Sequence, residues 1–190
     1  LETLYGNDFG LSAIPGFIKG GEYILHMVGP SCLPFNFGDS GSRMRLNTSL
    51  FWFARKTKNP ALLRNECKLL LEIPNYDYEQ YRRMLPSIFV LGKDINLANL
   101  PKPKVDMFAA KNEAPVCLMR SSWKEDAIYV GIKGGKASAN THTHLDAGSF
   151  VMDAQGVRWA VDLGPQEYNS LESKGIALWD NRANGQRWKV

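Results

Sequence analysis

Two of the three histidines in this 190-residue sequence stand two positions apart, in the run Asn140-Thr141-His142-Thr143-His144-Leu145-Asp146-Ala147-Gly148-Ser149-Phe150. In an extended chain alternate side chains share a face, so His142, His144 and Asp146 would project together. Two imidazoles and a carboxylate in one patch suit a metal ion or proton transfer. Neighbouring positions on one strand cannot surround an ion, so a metal needs a further ligand, and Asp162 is the obvious supplier. If Asp153 and Val157 close a hairpin through the three-residue loop Ala154-Gln155-Gly156, Asp162 lies opposite Gly148 and faces as His144 does. A two-residue loop would turn it away. The plainer alternative is a pair of solvent-facing strand histidines, with Asp162 as a turn residue before Gly164-Pro165. The small, hydrogen-bonding neighbours Asn140, Thr141, Gly148 and Ser149 favour a site.

Other polar and aromatic residues join this patch more loosely. Tyr168 follows Asp162 closely enough to contact a ligand or act as an acid; a packing tyrosine with its hydroxyl in water is an equal alternative. Asn140 could donate a hydrogen bond to a ligand or end a strand. His26, between Leu25 and Met27, reads as a structural histidine. Trp159 alternates within an apolar strand and reads as core, and Arg182 and Arg187 read as solvated.

Helical periodicity fills the first hundred residues and short β-rich runs fill the rest. Phe17 to Val28 predicts a helix closed by Gly29-Pro30. Ser42 to Lys58 predicts another, with Leu46, Leu50, Phe53 and Ala54 on one stripe. Pro60 suits the first turn of a third helix through Leu62, Leu63, Cys67 and Leu70. Glu79 to Phe89 predicts a fourth, broken by Pro86. The stretch Leu100-Pro101-Lys102-Pro103-Lys104 forbids a helix or a central strand, so the domain boundary falls there: 1–100 helical, 101–190 sheet. Strands are expected at Val116 to Ser121, Ala127 to Lys133, Ser149 to Asp153 and Val157 to Leu163, giving an α+β chain with an antiparallel sheet.

Composition excludes several classes. With 44% hydrophobic and 22% charged residues the chain is globular, neither disordered nor a coiled coil. No apolar run approaches the roughly 20 residues that cross a bilayer. The net charge of +4 comes from scattered basic residues, so a nucleic-acid partner is not expected, and an acidic polymer is compatible. Cys32, Cys67 and Cys117 lie far apart and suggest neither a disulfide framework nor a thiolate zinc site. The opening at Leu1 and the end at Val190 read as those of a piece of a longer protein, and a sheet cut there leaves edges open to self-association.

The run His142-Thr143-His144-Leu145-Asp146-Ala147-Gly148-Ser149-Phe150, then Gly156-Val157-Arg158-Trp159-Ala160-Val161-Asp162-Leu163-Gly164 and Tyr168, resembles the heparinase II/III-like family of polysaccharide lyases. Asp8-Phe9-Gly10-Leu11 and Phe35-Asn36-Phe37-Gly38-Asp39 are similar to bacterial members. The resemblance implies the C-terminal helices of an incomplete α/α toroid followed by the first strands of an antiparallel β-sandwich, with catalysis in the cleft between them. It implies that His144 and Asp162 are zinc ligands, the third being a histidine beyond residue 190, and that His142 is the catalytic histidine facing the substrate. It also implies a catalytic tyrosine upstream of Leu1, a uronic-acid-containing polysaccharide as substrate, and a periplasmic or secreted location. Tyr168 and Asn140 are then the substrate-binding candidates. The competing classes are a metal-stabilised carbohydrate-binding module, which would not need toroid-like helices, and a cupin-type oxygenase, which would need a glutamate soon after the histidines; the first here is Glu167.

Overall fold

A computed structural model of the chain describes residues 2–72, 83–111, 115–135 and 144–179. Helices α1 (Glu2–Tyr5), α2 (Gly20–His26), α3 (Ser49–Thr57), α4 (Arg64–Glu72) and α5 (Leu85–Gly92) precede strands β1 (Met107–Ala109), β2 (Val116–Arg120), β3 (Tyr129–Lys133), β4 (Phe150–Ala154) and β5 (Val157–Ala160), and α6 (Tyr168–Glu172) follows. The fold is α+β. It divides into two units, Leu1–His26 with Arg45–Val105, and Met27–Met44 with Asp106–Val190. The second junction falls near the proline stretch; the segment Met27–Met44 departs from a division at residue 100.

In the helical unit, α3 buries Leu50, Phe51, Phe53 and Ala54. The side chain of Asn47 accepts the Ser49 N–H at 3.2 Å just before it. Lys58 ends it in the left-handed region, φ 50°, and Pro60 opens a 3-10 turn, Pro60–Leu63, that leads into α4. α2 packs on α3 through Gly21, where a Cβ would stand 3.0 Å from that of Phe53. It ends at His26, two residues short of the predicted helix, because Val28 leaves to bridge Pro34. His26 itself is buried. Pro86 lies in the first turn of α5 and starts that helix rather than breaking one. Residues 79–82 of the predicted fourth helix are outside the described residues.

In the second unit the five strands form an antiparallel meander in chain order. One face carries Val116, Leu118, Tyr129, Val151 and Asp153, all buried. The strap Met27–Met44 covers it. Phe35, fully buried, lies so close to Gly131 that a Cβ there would sit 2.7 Å from its ring. Polar groups fasten the strap: Asp153 accepts the Ser31 N–H at 3.1 Å and hydroxyl at 2.6 Å, Arg158 donates to the Pro34 and Leu33 carbonyls at 3.1 and 2.8 Å, and Arg120 donates to the Val28 carbonyl at 2.9 Å. Asp153 and Arg158 also pair with each other. Since buried charge is tolerated only when paired and hydrogen-bonded, these contacts account for a carboxylate with no exposure beneath a loop.

The β4–β5 hairpin differs from the expected one. Ala154 pairs with Val157, leaving a two-residue turn whose residues Gln155 and Gly156 both have positive φ, 54° and 74°. Such a turn matches the twist of the flanking strands. The register then shifts by one residue: Asp153 faces Arg158 but Met152 faces Ala160. Trp159 is the extra residue of this bulge, 64% exposed rather than core, with its indole N–H on the Ala154 carbonyl at 3.1 Å.

Candidate active site

The chemistry-bearing residues of the second unit meet at the end of the sheet where β3 stops and β4 begins. The ladder runs beyond β4, through the Lys133 N–H on Ser149 O at 2.9 Å and the Gly148 N–H on Lys133 O at 2.8 Å. Gly148 then turns the chain at φ 91°, and residues 144–148 are not a strand, so the strict alternation expected of His144 and Asp146 does not hold; His142 lies outside the described residues. Asp146 is drawn to Lys133, with which it forms an ion pair. That ammonium lies 5.4 Å from the ring of Phe37.

His144 points elsewhere. Its Nε2 lies 3.0 Å from Oδ1 of Asp39 and 3.4 Å from the hydroxyl of Tyr168, and that hydroxyl donates to the same Asp39 oxygen. The imidazole is 7% exposed and the Asp39 side chain 45%, so the cluster opens to water on the carboxylate side. Asp39 reaches it because Gly38, at φ 63°, turns the strap directly before it. Tyr168, the first residue of α6, stands edge-on against Trp179, ring centroids 5.3 Å apart, and its hydroxyl faces the cluster. The histidine and the tyrosine chosen from sequence are thus brought together, by a carboxylate that the histidine spacing did not point to. The one signal for Asp39 was its place in Phe35-Asn36-Phe37-Gly38-Asp39.

Asp162 lies beyond the end of β5. Its carboxylate accepts the Ser149 hydroxyl at 2.8 Å and the Gly164 N–H at 2.9 Å, while its carbonyl accepts from the Asn36 amide at 3.0 Å. The adjacent turn, with Gly164 at φ 78°, holds this arrangement. Each of its two oxygens has a protein donor, and Nε2 of His144 faces Asp39. Among the described residues no group of three or more His, Cys, Asp or Glu converges as metal ligands do. His144 and Asp162 have separate partners, Asp39 and Tyr168 for the first, Ser149 and Gly164 for the second. His142, Asn140, Arg182 and Arg187 lie outside the described residues.

No protein-family profile and no curated protein matches the sequence. A solved structure does resemble it: the crystal structure of a mutant of heparan sulfate lyase HepC from Pedobacter heparinus superposes on 86% of this chain with a TM-score of 0.52 and 17% identity. The likeness is one of fold. The chain spans 22% of the length of that lyase.

Proposed function

We propose that this chain is part of a polysaccharide lyase that cleaves uronic-acid-containing polysaccharide by β-elimination. The observation that carries the reading is the Tyr168 hydroxyl 3.4 Å from Nε2 of His144, on a fold like that of a heparan sulfate lyase. The HxHxDxGSF and WxxDxG resemblance supports it.

The reaction asks for such groups. A base takes the proton from C5, beside the carboxylate; the C4–O bond breaks as the C4=C5 bond forms, and the departing oxygen receives a proton. Charge gathers on the uronate carboxylate meanwhile and has to be met by donors or cations. In this reading His142 is the catalytic partner or carboxylate neutraliser, Tyr168 touches the sugar or supplies a proton, and Asn140 donates to the uronate. His144, and Asp162 after giving up its present partners, would hold zinc, and the ion would supply structural support beside the substrate. An acidic polysaccharide as partner and a periplasmic or secreted location belong to the same reading, supported by the resemblance alone.

The test is to incubate the protein carrying this chain with heparan sulfate, hyaluronan, chondroitin sulfate and alginate while following the ultraviolet absorbance of the unsaturated uronate. New absorbance with at least one polymer is expected. Folded protein that binds a polymer without producing absorbance would replace the lyase with a carbohydrate-binding module.

A further inference from the structure

We propose that Asp39 is a positioning residue of this site, holding His144 as the Nε2–H tautomer and so leaving Nδ1 as the nitrogen with which that histidine works. The inference takes from the proposed lyase reading only that His144 is functional.

The described donors and acceptors of the cluster fit together in one way. An ionised carboxylate only accepts, and a lone pair on Nε2 directed at it from 3.0 Å would be repelled. The other neighbour within reach among the described residues, the Tyr168 hydroxyl, places its proton on the same Asp39 oxygen. Nε2 therefore carries a hydrogen, donated to Oδ1. The neutral ring then has its lone pair on Nδ1, and both contacts of His144 among the described residues are on Nε2. A carboxylate on one ring nitrogen fixes the tautomer and the ring orientation, which is how histidines that bind a metal or accept a proton are prepared. The two expectations for this residue, metal ligand or proton acceptor, thus converge on one atom, and Asp39, from a strap more than a hundred residues earlier, determines which atom it is.

The test is nitrogen NMR of the protein carrying this chain, with labelled histidine rings, in buffer above the ordinary imidazole range. His144 is assigned by its loss in His144→Gln. The expected spectrum has a protonated, pyrrole-like Nε2 and an unprotonated, pyridine-like Nδ1. Asp39→Ala should lose this preference and give averaged tautomers, and Asp39→Asn, whose amide oxygen can accept the same hydrogen, should restore it. Added zinc, if bound, should displace the Nδ1 resonance and leave Nε2 protonated. A wild-type spectrum with the proton on Nδ1, an Asp39→Ala spectrum like that of wild type, or zinc displacing Nε2 would overturn the proposal. If Asp39→Ala does not fold, Tyr168→Phe decides: keeping the Nε2–H form supports Asp39 as the holder, and losing it overturns that role. A protein with this tautomer but no unsaturated product loses the lyase reading alone; product formation with the opposite tautomer loses only the present proposal.

Discussion

Glu66 in the helical unit lends itself to a quantitative test. It lies in the first turn of α4, 2% exposed, and accepts the Asn47 N–H at 2.8 Å. Burial raises its pKa from the ordinary 4.5 to about 7, against the opposing effect of that hydrogen bond. Between these two values the folded protein holds a proton that the unfolded chain has released. Stability is therefore full below pH 4.5 and falls as pH rises toward 7. At about 1.4 kcal/mol per pH unit the loss amounts to about 3 kcal/mol by pH 8. Glu66→Gln keeps an oxygen for Asn47 and removes the charge. Urea unfolding of both proteins from pH 4 to 8, followed by circular dichroism, should show the Gln variant gaining on wild type by about 3 kcal/mol across that range. A stability difference that stays constant with pH would refute the reasoning that burial keeps this carboxyl protonated.

Three further substitutions probe the sheet unit. Asp153→Asn removes the charge opposite Arg158, whose side chain is 5% exposed, and should cost about 3–5 kcal/mol in urea unfolding; a loss below about 1 kcal/mol would mean that the pair is not what fastens the strap. Gly29→Ala places a Cβ against the Asp153 carboxylate and 2.9 Å from the Tyr129 ring, and should lower stability by about 1–3 kcal/mol, seen as a reduced midpoint of thermal unfolding. Gln155→Asn puts Asn-Gly into the turn whose two residues both have positive φ, and should raise stability by about 0.5–1 kcal/mol; a decrease would contradict the assigned turn type.

The elements that were legible in the sequence carry their determinants locally. The stripe Leu50, Phe53, Ala54 with Pro60 behind it marks α3, and short β-rich runs mark β2 to β4. Strand β1 was not legible, because three residues after a run of prolines have too little pattern and pair only through β2. The bulge at Trp159 was equally hidden, since an extra residue in a ladder depends on the partner strand. At the site, His144 and Tyr168 stood out by residue type and by the resemblance. Asp39 and the strap did not, for the groups that fix Met27–Met44 lie 92 to 126 residues away, as in Arg120 to Val28 and Asn36 to Asp162. No local window contains such pairs.

That separation bears on how the protein is made. A ribosome delivers Ser31 and Phe35 long before Asp153 and Arg158 exist, so during synthesis the strap has neither the carboxylate nor the guanidinium that secures it. Its aromatic residue must wait uncovered until the last hairpin has emerged, and closing so long a loop is slow. Asp39 travels on the same strap, so the carboxylate beside His144 arrives at its post only when the late strands have formed. Maturation of the cluster and completion of the sheet are then one event, and a chaperone that shields residues 27–44 during translation would act on both.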